Sequence, residues 1–584
     1  MKRFISILLS IVMIATAFTA CGGEQSSGGA EVTYTGIQLS DDGVLVDGEA
    51  ASTDSSSAVY VSNDIIFYLE GQGPAYGEGE SSEEHSQAEA DKHTVINITQ
   101  PGNYTFTGSI SYGQIAVNLG KDAKKDPNAV VNIILDNVDL TSTVAPAIVC
   151  YKAYECGSDD VEKAVKDVDI SGAGFNITIA DGSVNNINGG HVAKIYKEGT
   201  TDKLHKYDAA IESMVSFNIY GNDGVLNVNA DNEGIETKMH LTIHGGEINI
   251  ASADDSLNAG EDGVSVITIN DGVVVADSNG GAEGDGIDSN GWLVINGGYV
   301  SAFGNSKSMD SGLDSDNGIH INGGVVFATG NMYDDIAQES KQNFAVFNFA
   351  QAPEKGKFVV MKSNDSAVVA LESRAQGTNW IYSSPMLTEG EYTMYKAGAV
   401  TGEGFNGIYA DITAVENETQ LAYSSVGSMG QRPGMMVNWN GGFDGQMPEG
   451  FDKNNQPDFG QNGNMPGDFD FSQMPQNGGR PNGGNMPNMP YDGQMPENGQ
   501  RPGGMKPNGG FGGQMPQGFD KNNQPDFSQN GNMPNNFDFG NMPEDFNFGG
   551  MTGNFTGTVG EMQTVFTVVK GANIFSGITE YVQA

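Results

Sequence analysis

The feature that most constrains this chain is a repeat. Ile243-His244-Gly245-Gly246 recurs as Ile269-Asn270-Asp271-Gly272, Ile295-Asn296-Gly297-Gly298 and Ile321-Asn322-Gly323-Gly324, 26 residues apart each time (269 − 243, 295 − 269, 321 − 295). A fixed period in this range marks a stacked repeat architecture. One period holds about three short strands with their turns, at a rise of about 3.3 Å per residue. The unit is too strand-like and glycine-rich for a helical repeat. The expected fold is therefore all-β: a parallel β-helix, a solenoid in which equivalent side chains stack from turn to turn.

Strand alternation then assigns faces. In the anchor strand, Leu241/Ile243, Ile267/Ile269, Leu293/Ile295 and Ile319/Ile321 point inward. In the next strand, Ile248/Ile250, Val274/Ala276, Val300/Ala302 and Val326/Ala328 point inward, and Val273, Val275, Tyr299, Val325 and Phe327 point outward. Exposed, these outward residues would form an apolar strip for stacking sugar rings, with Tyr299, Phe327 and Trp292 as candidate carbohydrate-binding residues. Cover by a loop or by a distant segment is the alternative.

The third strand carries acids. Ile211-Glu212-Ser213, Ile235-Glu236-Thr237, Leu257-Asn258-Ala259, Ile287-Asp288-Ser289 and Leu313-Asp314-Ser315 fall in one register. Further acids lie just upstream: Asp208, Glu233, Asp254, Asp255, Asp285 and Asp310. Unit charges stacked about 4.8 Å apart repel by about 0.9 kcal/mol in water and about 3.5 kcal/mol at an effective dielectric of 20. A cation between the rungs removes that cost, and carboxylates are the ligands calcium takes. Calcium is thus the expected cofactor, on Asp208, Glu212, Glu233, Glu236, Asp254, Asp255, Asp285, Asp288, Asp310 and Asp314. A solvated, screened acid column is the alternative.

The same regularity bears on catalysis. A catalytic site is normally a single irregular constellation, whereas a binding surface can repeat. The five arginines (Arg3, Arg374, Arg432, Arg480, Arg501) all fall outside the repeats, which argues against an arginine-based lyase. Lys238 is the one lysine beside the acid column. Asp285/Asp288 with Asp310/Asp314 are the carboxylates a hydrolase would use. The expectation is a binding protein, not an enzyme, and no catalytic residue is assigned. A pectin-degrading hydrolase or lyase is the first alternative and a protein-binding surface adhesin the second. His205, His240, His244 and His320 are read as outward surface residues.

Lys and Arg total 28 against 74 Asp and Glu, a net charge of −46, which argues against nucleic acid as a partner. Residues 1–20 read as a signal peptide: Lys2-Arg3, then an apolar run from Phe4 to Phe18 too short to span a membrane. Phe18-Thr19-Ala20-Cys21 resembles a bacterial lipobox with Phe18 in place of the usual Leu, making Cys21 the candidate lipidation site and the location extracellular, lipid-anchored to the cell membrane; ordinary secretion with a free Cys21 is the alternative. Cys150 and Cys156 are a possible disulfide in that setting.

The expected organisation is a lead-in with weak strands over 21–92, in which Glu78 to Asp91 reads as loop or disorder. The β-helix follows over 93–336, then the end of the solenoid with a β-rich cap over 337–427. A Gly/Asn/Met/Pro-rich spacer over 428–555 is expected to be disordered, and a strand-like segment closes the chain over 556–584. Within the spacer the block Gly445 to Phe471 recurs 68 positions later as Gly513 to Phe539.

Thr94-Val95-Ile96-Asn97-Ile98-Thr99-Gln100-Pro101-Gly102-Asn103-Tyr104-Thr105-Phe106-Thr107-Gly108 resembles the opening motif of a family of secreted bacterial carbohydrate-binding proteins. So do Asn132-Ile133-Ile134-Leu135-Asp136-Asn137-Val138-Asp139-Leu140, leading to Pro146-Ala147-Ile148, and the turns Asp208-Ala209-Ala210-Ile211 and Glu233-Gly234-Ile235. The resemblance covers about residues 58–425, and 556–584 beyond the spacer. It implies a right-handed parallel β-helix with bound calcium, and cellulose and polygalacturonate-like polysaccharides as partners; a monomer is the expected state. It also implies metal positions at Glu233, Glu236, Asp285, Asp288, Asp310 and Asp314. Asn258 departs from that acidic pattern, which weakens a site at its turn.

Overall fold

The computed structural model describes residues 33–69, 84–196, 203–427 and 562–582, and the side chains of 193–206 and 572 are left aside. The signal segment, Cys21 and the whole 428–555 spacer lie outside the described residues.

Among the described residues the fold is all-β, with a single four-residue α-helix, Gln87–Ala90, and two short 3-10 turns. Three ladders of parallel strands run through the first part. The anchor ladder stacks Tyr34–Leu39, Gly102–Ile110, Val131–Thr141, Phe175–Ile179, Phe217–Tyr220, His240–Ile243, Val266–Ile269, Trp292–Ile295 and Ile319–Ile321. Its register pairs Ile243 with Ile269, Ile269 with Ile295 and Ile295 with Ile321, the 26-residue period of the sequence. The second ladder leaves the same long strand Val131–Thr141 and continues through Val184–Gly189, Val225–Ala230, Glu247–Ala251, Val273–Asp277, Tyr299–Phe303 and Val325–Gly330. The third, or acid, ladder stacks Thr94–Ile98, Gly113–Asn118, Ile148–Lys152, Ala209–Ser213, Glu233–Thr237, Leu257–Ala259 and Ile287–Ser289.

The three ladders share one core. Ile211, Ile235, Leu257, Ile287, Leu313, Ile243, Ile269, Leu226, Ile248 and Val274 all belong to it and are fully buried. Turn glycines set the spacing between rungs. Gly272 and Gly298 have φ of 94° and 76°, a region L side chains rarely adopt. A Cβ on Gly272 would also lie 2.6 Å from the Gly246 carbonyl oxygen, so glycine stacks on glycine where the chain reverses.

Antiparallel strands cover the first edge of the acid ladder and the last edge of the second, positions otherwise open to mispairing. Val59–Ser62 pairs antiparallel with Thr94–Ile98 at the start of the acid ladder. Asn379–Ser383 pairs antiparallel with Val325–Gly330 at the end of the second. Beyond it, residues 344–427 form antiparallel sheet, and the last segment joins that sheet: Val565–Val568 pairs with Gly390–Ala397, and Ala572–Glu580 runs parallel to Phe344–Phe349.

The lead-in is more ordered than its composition suggests. Tyr34–Leu39 is a full rung, and Ile65, Phe67 and Tyr68 are buried without being strands. Part of the acidic stretch read as loop is the helix Gln87–Ala90, where Ser86 Oγ accepts the Glu89 N–H at 3.2 Å. Thr143 Oγ1 donates to Glu89 at 2.8 Å and His93 Nε2 accepts the Thr143 N–H at 3.1 Å, so long-range contacts hold a helix too short to persist alone.

Candidate metal centre

One outward column of the acid ladder organises the site. Its register runs Asn97, Ala116, Val149, Glu212, Glu236, Asn258, Asp288. Leu313 bridges to Ile287, which brings Asp314 onto the next rung. After Asn97 the column is apolar at Ala116 and Val149 and turns acidic at Glu212. On the apolar side it packs beneath Ile65, Phe67, Tyr68 and Ala90 from the lead-in.

The acids do not form the open, solvated face expected of outward positions. Asp208, Glu212, Glu233 and Glu236 are all buried, at 2%, 0%, 2% and 3% exposure. The aromatic rings of Tyr151 and Tyr207 pack edge to face at 5.2 Å, and both hydroxyls feel the Glu212 charge. Asp254, Asp255, Asp285, Asp288, Asp310 and Asp314 are half-buried.

Three of the ten candidates meet: carboxylate oxygens of Asp208, Glu233 and Glu236 lie within 4.8 Å of one another. At that distance each pair of charges repels by about 3.5 kcal/mol at an effective dielectric of 20. Burial, then Glu212, Glu233 and Asp208, hold the Glu236 carboxyl well above the usual carboxylate range. Asn258, the departure from the acidic pattern, donates its Nδ2 to Glu233 at 3.0 Å, so an amide here fixes an acid on the neighbouring rung.

The remaining acids form a second string that clips turn to turn. Asp255 accepts the Asp285 N–H at 2.6 Å, Asp285 accepts the Ser311 N–H at 2.5 Å, and Asp310 accepts the Gly284 N–H at 2.6 Å. Burial, with neighbouring acids, raises the Asp255 carboxyl well above its ordinary value. Burial likewise pushes Asp285 up to about 7, aided by Asp288 and Asp310 and opposed by the Ser311 bonds. Asp288 rises to about 7 through burial and Asp314, and Asp314 to about 8 through burial, Asp285 and Asp334. Asp334 is a member the sequence reading missed. It follows the last anchor, yet its carboxylate accepts the Ser315 N–H at 3.3 Å. The Asp334-Asp335 pair echoes Asp254-Asp255, and that echo was the available signal.

Other expected site residues fall elsewhere. Tyr299 and Phe327 are buried, at 7% and 1% exposure, beneath the C-terminal sheet and not on an open strip. Tyr299 packs edge to face on Phe405 at 4.9 Å and donates its hydroxyl to the Phe405 carbonyl, while Phe327 packs on Trp380 at 5.3 Å. Trp292 is half-buried. His240 and His320 are buried too: Gly157 lies against the His240 ring, and burial lowers its imidazole to about 4. Cys150 and Cys156 are free thiols, because Cys150 points into the common core. Lys238 pairs with Glu261 at 2.8 Å.

Residues 92–372 match the model of a family described as carbohydrate-binding domain-containing protein. That match takes in the acid triad, the clip acids and the second ladder together. A curated carbohydrate-binding domain-containing protein of Acetivibrio thermocellus is 32% identical over 156 residues, 26% of this chain and 44% of that protein. The chain therefore spans less than half the length of that relative. A solved gadolinium-derivative structure of a polysaccharide lyase-like protein from C. thermocellum aligns at 22% identity over 50% of this chain and 90% of that one, with a TM-score of 0.31.

Proposed function

We propose that this chain is a calcium-dependent polysaccharide-binding protein, built on a right-handed parallel β-helix and lipid-anchored at the cell surface through Cys21. The family match over 92–372 supports the carbohydrate partner. The observation that carries the calcium reading is the buried meeting of Asp208, Glu233 and Glu236. Their all-oxygen donor set suits a hard cation. Glu236 holds its proton strongly, as a carboxyl must when charge is crowded around it, and a dication competes for the same place. Asp208, Glu233 and Glu236 would hold the ion, with Glu212 adjoining. Bound calcium supplies the positive charge that lets these acids ionise together. On the half-buried string, Asp285, Asp288 and Asp314 are the positions from which calcium would reach uronate carboxylates and so offset the repulsion between an anionic protein and an anionic glycan.

Equilibrium dialysis and pulldown on insoluble cellulose and polygalacturonate, with and without chelator, test this reading. The expected results are retention in calcium, loss of the polygalacturonate retention in chelator, and a calcium affinity at least tenfold weaker in Glu236→Gln. Retention on neither polysaccharide in calcium sinks the binding claim; unchanged polygalacturonate retention in chelator sinks the calcium claim.

A second reading rests on one observation. Asp285 and Asp288 keep protons up to about pH 7, as a general acid needs. Release of reducing ends from polygalacturonate without unsaturated products, vanishing in Asp288→Asn, would make the protein a hydrolase.

A further inference from the structure

The second ladder has an outward face that the calcium reading leaves unused. One of its columns runs Asp139, Asn186, Asn227, Asn249, Val275, Ser301, Phe327 in strict register. A neighbouring column runs Thr141, Asn188, Asn229, Ala251, Asp277, Phe303. Both change character after the rung Glu247–Ala251. Beyond it the face is closed: Val275, Phe303 and Phe327 are buried in the apolar cluster under the C-terminal sheet, and Ser301 Oγ reaches the Asn406 carbonyl at 3.3 Å. Before it the face is open. Asn186, Asn188, Asn227 and Asn249 are half-exposed, Asn229 and Ala251 exposed, and Val184 at the margin is 50% exposed.

The amides of the open half are oriented by each other. Asn227 Nδ2 donates to Asn186 Oδ1 at 3.0 Å, and Asn249 Nδ2 to Asn227 Oδ1 at 3.1 Å. In the second column Asn188 donates to Thr141 Oγ1 at 3.1 Å, and Asn229 to Asn188 Oδ1 at 2.9 Å. A primary amide has two N–H donors and two carbonyl lone pairs. Each bonded amide in the middle of a column therefore keeps one donor and one acceptor for a ligand, at a fixed spacing of one rung, about 4.8 Å. Such a surface costs a ligand little ordering of the protein. Its amides are uncharged in a chain of net charge −46, and acids stand only at its margin, Asp139 and Glu247. The partner that fits is neutral and rich in hydroxyls, each of which both donates and accepts.

We propose that this open half of the second ladder is the seat for an uncharged glycan chain, separate from the acid ladder and independent of calcium. The proposal rests on the polysaccharide-binding reading and divides it: neutral glycan on the amides, uronates on the acids. The test uses the full chain, insoluble cellulose as the neutral probe and polygalacturonate as the acidic one, each with calcium and with chelator. In Asn186→Ala/Asn227→Ala/Asn249→Ala, cellulose retention is expected to fall at least tenfold while polygalacturonate retention in calcium is unchanged. Asn229→Lys, at an exposed position that perturbs folding least, is expected to lower cellulose retention in the same way. Undiminished cellulose retention in folded Asn229→Lys overturns the seat, as does a wild type that cellulose never retains. In either case polygalacturonate retention in calcium still decides the broader reading, so the two failures are told apart.

Discussion

Two outward columns on different ladders treat charge in opposite ways. The acid column buries its carboxylates: Glu212 and Glu236 are at most 3% exposed. The amide column leaves neutral Asn186, Asn227 and Asn249 half-exposed. Ordinary folding places charge outside and tolerates neutral groups within. Reversal of that order is expensive, since a buried carboxylate needs a partner or a proton. The amide column incurs no such cost, because each amide satisfies the next. Where a column carries a cost with no gain in packing, function is the natural explanation; where it carries none, stability and function are compatible. The two columns also run in opposite senses along the stack. Past Asn97 the acid column is apolar and covered, then acidic; the amide column is polar and open first, then apolar and covered.

The largest effect expected from this contrast is on the dependence of stability on pH. Asp285, Asp288 and Asp314 have folded-state proton affinities raised to about 7, 7 and 8. A raised value means the folded state holds the proton more tightly than the unfolded chain. Stability is therefore full below the unfolded value near 4 and is lost as pH rises through 7 to 8. In chelator, urea unfolding should show a loss of at least about 4 kcal/mol between pH 4.5 and 8.5, the share of Asp288 alone. Asp288→Asn should flatten that slope in chelator. A flat profile in the wild type would mean the acids are solvated after all. In the other direction, saturating calcium should restore stability at pH 8, by about 2.7 kcal/mol at a hundredfold excess over its dissociation constant.

A comparable loss should follow from opening the closed half of the amide ladder. Phe327→Ala removes a ring packed between Phe303 and Trp380 and should cost about 3 to 5 kcal/mol by denaturant unfolding. Loss below about 1 kcal/mol would mean that the C-terminal sheet does not close that face. A smaller effect is expected where the same sheet is pinned by charge. Arg374 bonds Asp277 at 3.0 Å and its guanidinium lies 4.0 Å over the Phe303 ring. Arg374→Ala should cost about 1 to 2 kcal/mol, more than a surface pair alone gives, because the stack is lost with it.

Most of the internal register was legible in the sequence, and most of the covering was not. The spacing of Ile243, Ile269, Ile295 and Ile321 fixed which residues stack, because a strand's period of two leaves one choice of inward face. The third strand's alignment of Glu212, Glu236, Asn258 and Asp288 followed from the same count. Alternation says only that a side chain leaves the core of its own ladder. It does not say what lies beyond. Tyr299 and Phe327 point outward and are buried by strands more than 50 residues later, and the lead-in covers Ala116 and Val149 from more than 25 residues earlier. Long-range cover of this kind has no period, so local pattern does not reveal it. The change of residue class along a column, Asn249 to Val275 or Val149 to Glu212, is the trace it leaves in sequence.

The smallest expected effect is on the open half itself. Asn227 shares two amide bonds, one with each neighbouring rung. Asn227→Ala breaks both at a half-exposed position where water replaces them, so the loss should be about 1 kcal/mol or less. A double-mutant cycle with Asn249→Ala should show coupling, since the two residues share a bond. At Asn229 and Ala251, on the exposed column beside them, no such chain continues and alanine at Asn229 should cost less still. If Asn227→Ala instead destabilises as strongly as Phe327→Ala, the amide column is part of the framework, its exposure is incidental, and the contrast between buried acids and open amides loses its functional meaning.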